Sequence, residues 1–128
     1  MACFRFPVLV CALLLPGVDG AAEIDGAWRA EFDSAVGIQK YVFELKADGQ
    51  KLLGRALGER STDKSETPIT DGRLTKNEVY FVERLNYQGV SLRVDYRGTV
   101  KGDELVLTRI VGGVFTEQLV AKRLKTKG

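Results

Sequence analysis

The sequence predicts an all-β domain, an eight-stranded antiparallel up-and-down barrel preceded by a short leader. Three observations predict it. Apolar and polar residues alternate over short stretches, turn residues recur between the stretches, and no window of comparable length has a helical period. The clearest stretch is Val90 to Lys101, in which Val94 and Tyr96 share one face while Arg93 and Asp95 share the other. A two-sheet β-sandwich is the alternative arrangement of the same strands.

The leader is the first element along the chain. An apolar run from Pro7 to Pro16 follows Arg5 and ends in small residues, which is the pattern of a secretory signal peptide. The run is shorter than the roughly 20 apolar residues that a membrane span needs. We therefore predict a signal peptide over residues 1–22, cleaved after Ala22 or alternatively after Gly20. A secreted or periplasmic protein without stable membrane insertion after cleavage is expected.

Composition excludes several classes of chemistry from the remaining domain, residues 23–128. Both cysteines, Cys3 and Cys11, lie in the leader, and the chain contains no His. A disulfide scaffold, a thiol nucleophile, a Ser-His-Asp triad and a His-bearing zinc site are therefore excluded. The net charge of +2 is too mild to predict a nucleic-acid partner. We predict no metal, no cofactor and no catalytic residue.

Period-two alternation justifies each strand in turn. Trp28, Ala30 and Phe32 alternate in the first strand, and Tyr41, Phe43 and Leu45 in the second. Small residues Gly54 and Ala56 share a face with Leu52 in the third, where they either leave room for a ligand or relieve crowding. Turn residues such as Asp48-Gly49 and Gly112-Gly113 separate the strands. The predicted strands span residues 26–33, 38–46, 51–57, 68–75, 78–85, 90–101, 104–111 and 114–124.

Two irregularities interrupt this pattern. Asp71-Gly72 falls inside the fourth strand and predicts a β-bulge. The polar stretch Gly58 to Pro68 is longer than a hairpin needs and predicts a loop between the third and fourth strands. Such a loop is either a lid over a barrel mouth or an insertion without a role. Asp63 and Glu66 within it lack the spacing of a calcium loop.

The segment Gly26-Ala27-Trp28 resembles the Gly-x-Trp that opens the first strand of lipocalins. In that family an Arg near the last strand packs over the Trp ring, and Arg123 stands at the matching place. The resemblance implies a lipocalin-like barrel in which Gly26, Trp28 and Arg123 form a structural signature that closes one end. Trp28 would then determine the fold without contacting a ligand, and any ligand would bind at the opposite, open end.

A broader pattern covers nearly all of the domain. The chain resembles a group of small secreted bacterial proteins of unassigned function, whose short motifs follow one another in a fixed order. These motifs are the Gly-x-Trp, Leu-x-Gly, Ile-x-Asp-Gly, Tyr-x-Gly, Gly-Asp-Glu-Leu and Ala-x-Arg sequences, here Gly26 to Trp28, Leu52 to Gly54, Ile69 to Gly72, Tyr96 to Gly98, Gly102 to Leu105 and Ala121 to Arg123.

Glu83 and Arg109 are the candidate polar anchors. Glu83 shares a face with Val79 and Phe81, and Arg109 shares one with the apolar residues of its strand. If these faces point inward, the two groups form a buried pair or a preorganised ligand anchor, because an unpaired buried charge is strongly unfavourable. The alternative, which the sequence favours, places both at strand ends near the rim, where water solvates the charge.

The function predicted is that of a non-catalytic binding module for a small apolar or amphipathic molecule. The site would lie at the barrel mouth, with Glu83 and Arg109 as anchors. Aromatic residues either wall this pocket or form ordinary core; they are Tyr41, Phe43, Phe81, Tyr96 and Phe115.

Two other functions stay open at this point. A carboxylate enzyme, a glycoside hydrolase, cyclase or isomerase, would need Glu31, Glu44 or Glu83 to converge in a cleft. Glu31 and Glu44, however, share faces with Arg29 and Lys40, as solvated cross-strand partners do. A filled barrel could instead bind a partner protein or an envelope polymer through the charged outer face of the sixth predicted strand.

Overall fold

The computed structural model describes residues 23–34, 37–59 and 64–125. The predicted leader lies outside the described residues, as do residues 60–63 of the predicted loop. Nine antiparallel strands make up the described chain: β1 (Gly26–Ser34), β2 (Gly37–Asp48), β3 (Lys51–Glu59), β4 (Lys64–Pro68), β5 (Thr70–Thr75), β6 (Glu78–Tyr87), β7 (Val90–Lys101), β8 (Glu104–Val111) and β9 (Phe115–Arg123). Within these ranges no helix has the length and apolarity that crossing a membrane requires.

Eight of the strands close into a barrel, which confirms the predicted fold over the sandwich. The order around the barrel is β1-β2-β3-β5-β6-β7-β8-β9, and β9 returns to pair with β1. Closure removes the exposed edges that an open sheet would have. The β9–β1 seam is short: in the described residues, its register pairs are Lys122 with Arg29 and Arg123 with Trp28.

The ninth strand corrects the loop prediction. Lys64 to Pro68, predicted as the end of a loop, instead forms β4 and pairs with β3 from Arg55 to Glu59. Its side chains are polar and alternate only between exposed and half-buried, so the segment lacks the apolar alternation that identifies a strand. Backbone hydrogen bonding to β3 holds these residues along the barrel wall and not across its mouth.

The predicted bulge is confirmed between β5 and β6, where the register shifts between Thr70 and Arg73. Small residues elsewhere relieve crowding between strands. A Cβ at Gly98 would lie 1.9 Å from the carbonyl oxygen of Val106, and one at Gly54 would lie 1.8 Å from that of Glu44. Neither distance is possible, so these glycines allow neighbouring backbones to approach closely as the barrel curves.

Trp28 and Arg123 close one end of the barrel, as the Gly-x-Trp resemblance implies. Trp28 is fully buried, and the Arg123 guanidinium carbon lies 4.3 Å from its ring centroid. The Trp28 indole donates a hydrogen bond to the carbonyl of Ile24 at 2.9 Å. Arg123 donates to the carbonyls of Glu23 and Asp25 at 2.6 and 2.9 Å. The two side chains thus fix three consecutive backbone carbonyls that precede β1.

Candidate ligand-binding site

Glu83 and Arg109 both point into the barrel, so their predicted rim location is wrong. Glu83 on β6 is 0% exposed and Arg109 on β8 is 1% exposed. The strand register explains this. Phe81 lies opposite Tyr96, and Tyr96 lies opposite Arg109. Because both aromatic rings face inward, Arg109 also faces inward, and so does Glu83, which is two residues after Phe81 on the same strand. A pair of opposite charges therefore lies inside an otherwise apolar core.

Two tyrosines link the charges, which do not touch directly in the described structure. Tyr41 donates a hydrogen bond to one Glu83 oxygen at 2.8 Å, and Tyr96 donates to the other at 2.7 Å. Arg109 in turn donates from Nε to the Tyr96 hydroxyl at 3.0 Å and from a terminal nitrogen to the Tyr41 hydroxyl at 3.5 Å. Each hydroxyl thus accepts from the cation and donates to the carboxylate, which satisfies both buried charges.

Arg109 has a second carboxylate partner nearer to the solvent. It donates to Glu117 on β9 at 2.8 Å, and the Glu117 side chain is 12% exposed. The guanidinium carbon also lies 5.1 Å from the ring centroid of Phe32. Three ionisable residues therefore form a chain from the closed interior toward the open end, in the order Glu83, Arg109 and Glu117, and we call this chain with its two tyrosines the buried network.

Burial shifts the titration of the buried network. Desolvation, followed by the negative charge of Glu83, raises the pKa of Tyr41 and of Tyr96 well above the usual range. For Arg109, desolvation acts to lower the pKa, but Tyr96, Tyr41, Glu83 and Glu117 together oppose it and leave the pKa raised. Both phenols are accordingly neutral donors and the guanidinium is charged throughout the physiological pH range.

These shifts predict a loss of stability in alkali. Because the folded-state pKa of Tyr41 and Tyr96 lies above the unfolded value of about 10, their contribution is complete below pH ~10 and is lost as the pH rises further. We expect the tyrosinate absorbance of these two residues to appear only when the protein unfolds, with unfolding monitored by circular dichroism. The urea-unfolded chain, in which all tyrosines titrate near their ordinary pKa, is the control. Ionisation of all four tyrosines in a chain that keeps its folded spectrum would contradict the prediction.

The predicted aromatic residues meet in the middle of the barrel, beneath its mouth. Tyr41, Phe43, Phe81 and Tyr96 are at most 2% exposed. Phe81 stacks on Tyr96 at 4.7 Å between ring centroids, and Phe43 contacts both rings edge-on at 5.6 and 5.3 Å. These rings form the packed floor beneath the open end. Phe115 differs from them, since it is 54% exposed and lies at the mouth.

The open end, opposite Trp28, carries an apolar rim. Val90, Val114 and Phe115 are more than half exposed, and Leu92 and Val111 below them are half-buried against the core. The alternation of β9 puts Phe115 and Glu117 on the same side as buried Leu119 and Ala121, toward the barrel interior. We call Val90, Val114 and Phe115 the apolar rim.

The other candidate carboxylates do not converge with Glu83. Glu31 is exposed on the outer wall opposite Lys40, and Glu44 pairs with Arg55 at 2.6 Å on the same outer wall. In the part of the chain that is described, no group of three or more carboxylate, His or Cys side chains could hold a metal ion. Of the three candidate carboxylates, only Glu83 is buried and belongs to the buried network.

Sequence reasoning missed Glu117. The signal was present: Arg123 was expected to pack over the Trp28 ring, and counting back in steps of two along the last strand passes Ala121 and Leu119 to Glu117. The six residues predicted as the ligand site are, by contrast, brought together: Glu83, Arg109, Tyr41, Phe43, Phe81 and Tyr96.

Comparison with protein-family models, with curated proteins and with solved structures finds no match to this chain.

Proposed function

We propose that the protein is a non-catalytic binding module for a small amphipathic molecule, which docks at the open end of the barrel. The observation that carries the proposal is that exposed Phe115 of the apolar rim lies two residues from Glu117 on the same inward side of β9, and that Glu117 pairs with buried Arg109. A ligand there meets exposed apolar side chains first and a charged pair beneath them. The predicted leader and the resemblance to secreted lipocalin-like proteins agree with this role.

The apolar part of the ligand would contact the rim. Val114 and Phe115 are consecutive residues at the start of β9, and Val90 begins β7 at the same end of the molecule. Exposed apolar side chains that cluster in this way mark binding sites, because water leaves them unfavourably solvated until a partner covers them. Leu92 and Val111 extend the same surface inward.

The polar part of the ligand would face Glu117. This residue lies two positions from Phe115 on β9, about 7 Å along the strand, and is the outermost charged member of the buried network. One guanidinium serves two carboxyl groups there, so the site carries more acidic than basic groups. A cationic or hydrogen-bond-donating head group complements this charge better than an anionic one.

Displacement of a neutral fluorophore tests the proposal. We expect phenyl-naphthylamine to bind, dodecylamine to displace it, and dodecanoate to displace it less well. Phe115→Ser removes an aromatic contact and should weaken binding roughly tenfold, since burying such a side chain contributes at least about 1.4 kcal/mol. Val120→Ser is the matched control, because Val120 is an exposed apolar residue on the outer side of the same strand.

Glu117→Gln separates the head-group argument from the apolar one. This variant should abolish the preference for dodecylamine over dodecanoate while leaving fluorophore affinity nearly unchanged. Equal weakening by Phe115→Ser and Val120→Ser would show that the fluorophore does not bind at the mouth. Absence of fluorophore binding to the folded protein would overturn the proposed function altogether.

A further inference from the structure

The outer wall formed by β5, β6 and β7 carries four exposed arginines around one tyrosine. Arg73 lies on β5, Arg84 on β6, and Arg93 and Arg97 on β7. The tyrosine is Tyr80, which Arg73, Arg93 and Arg97 contact. We call these four arginines the arginine face. Their strands belong to the barrel, but the side chains point away from the interior and take no part in the buried network.

Strand register arranges the arginine face in two rows. Arg73, Tyr80 and Arg97 lie directly opposite one another across three neighbouring strands. The guanidinium carbons of both arginines lie 4.6 Å from the centroid of the Tyr80 ring, so the ring holds them by cation–π contact. Arg84 and Arg93 form the second row. The first row spans about 10 Å and the backbones of the two rows are about 13 Å apart. The Arg93 side chain reaches back to the first row, where a terminal nitrogen donates a hydrogen bond to the Tyr80 hydroxyl at 3.1 Å.

Most of this positive charge lacks a partner. Among the described residues, Arg73, Arg84 and Arg97 have no carboxylate within ion-pair distance, and Arg29 on β1 also has none. By contrast, Arg55 pairs with two carboxylates, and Arg109 and Arg123 pair with one each. Asp95 forms an ion pair with Arg93 at 3.1 Å. A hydrogen bond from Tyr80 at 2.6 Å, then Arg93, and also the charge of Arg97, lower the pKa of Asp95, which is therefore ionised at neutral pH.

Stability does not explain this arrangement. Arg84 and Arg93 lie directly opposite each other on adjacent strands, and like charges in that position destabilise a sheet. The arginine face brings together four of the 19 basic residues of the chain on three neighbouring strands. An unfavourable charge cluster on an exposed face is expected where an anionic partner relieves the repulsion on binding.

We propose that the arginine face binds an acidic polysaccharide. Guanidinium groups pair in a planar, two-point geometry with carboxylate or sulfate groups, and four of them distributed over three neighbouring strands suit a polymer with repeated charges better than one small anion. Arg73 and Arg97 border a surface groove of about 390 Å³. Thr75 and Thr99 in the groove supply hydroxyls for sugar hydroxyls, and Glu78 is its one acidic side chain.

The same wall is poorly suited to nucleic acid or to a membrane surface. The Tyr80 ring is occupied by two guanidinium groups and offers no free face on which a base could stack. The described exposed apolar residues that a membrane would bury, such as Val114 and Phe115, are at the barrel mouth and not on this wall. The proposal is thus independent of the proposed function, which uses the open end.

Binding to a labelled heparin hexasaccharide and to a labelled oligogalacturonate, followed by fluorescence anisotropy in low salt, tests the proposal. We expect both to bind and their affinity to fall steeply with added NaCl. Arg73→Gln/Arg97→Gln should weaken binding by at least roughly tenfold, because each lost guanidinium removes charge-assisted hydrogen bonds. Arg29→Gln/Lys40→Gln is the control, since it removes the same charge from exposed residues on the wall formed by β1 and β2.

The control variant should bind within roughly twofold of the unmodified protein, because its arginine face is intact. Circular dichroism verifies that both variants are folded. If the two double variants weakened oligosaccharide binding equally, binding would depend on net charge and not on the arginine face, which would overturn the proposal. Tighter binding to phosphatidylglycerol vesicles or to single-stranded DNA than to either oligosaccharide would also overturn it.

Discussion

Replacing Arg109 with methionine is expected to lower the free energy of unfolding by about 3–5 kcal/mol, which is the usual effect of removing one member of a buried ion pair. Arg109 is the cation that both carboxylates of the buried network share, directly for Glu117 and through Tyr41 and Tyr96 for Glu83. Without it, Glu83 stays fully buried with only the two tyrosine hydroxyls to stabilise its charge. Urea unfolding measures the loss.

The control for this variant is Arg84→Met. Arg84 is exposed on β6, one residue from Glu83, and should change the stability by less than about 0.5 kcal/mol. A loss below about 1 kcal/mol for Arg109→Met would contradict the charge pairing described for the network. Adding Glu83→Gln to Arg109→Met should recover part of the lost stability, because the amide has nearly the same shape as the carboxylate and removes its unpaired charge. A further loss of stability in the double variant would also contradict it.

Replacing Trp28 with alanine is expected to lower the free energy of unfolding by about 3–5 kcal/mol, through lost apolar burial and the cavity left behind. The described pairing between β9 and β1 consists of the rows of Trp28 and Arg29, and a backbone hydrogen bond from Leu124 to Ala27 at 2.8 Å extends it. The indole therefore provides much of the contact that holds the barrel shut. Its removal also takes away the hydrogen bond to Ile24 and the surface on which Arg123 lies.

Trp28→Phe and Leu53→Ala are the comparison variants. Phenylalanine keeps a ring at the closed end and should cost less than alanine, and Leu53 is half exposed on β3, so its truncation should have a small effect. Where Trp28→Ala is folded, its affinity for phenyl-naphthylamine should stay within roughly twofold, because the rim is at the opposite end. Loss of fluorophore binding by the folded variant would show that Trp28 acts on the ligand and not on the fold.

The fold could be predicted because apolar and polar residues alternate along most of its strands. β7 has one mainly apolar and one polar face, and tight turns bound it at both ends. β4 could not be predicted in this way, since the residues of "KSETP" are all polar apart from Pro68 and the strand forms through backbone pairing with β3. This strand forms only because β3 lies beside it, and the amino-acid composition of the segment does not show that contact.

The residues of the candidate site could be predicted from the sequence, but how deeply they are buried could not. Period two showed that Glu83 shares a face with Phe81, yet a shift of one residue in register would send both outward. Tyr96 lies directly opposite Arg109, a contact that pairing of consecutive strands could have suggested. Tyr41 reaches Glu83 across the barrel interior from β2, and such a contact exists only once the sheet has closed.

The seam between the first and last strands also bears on the order in which contacts form during folding. Arg123 and the carbonyls it binds are separated by 98 and 100 positions along the chain, whereas most other neighbouring strands are joined by short turns. Bringing such distant segments together carries the largest loss of chain entropy, so hairpins are expected to form early and the seam to form last. Trp28 is the only tryptophan in the sequence. Its fluorescence thus reports the final event of folding, the conversion of a curved sheet into a closed barrel, without any added label.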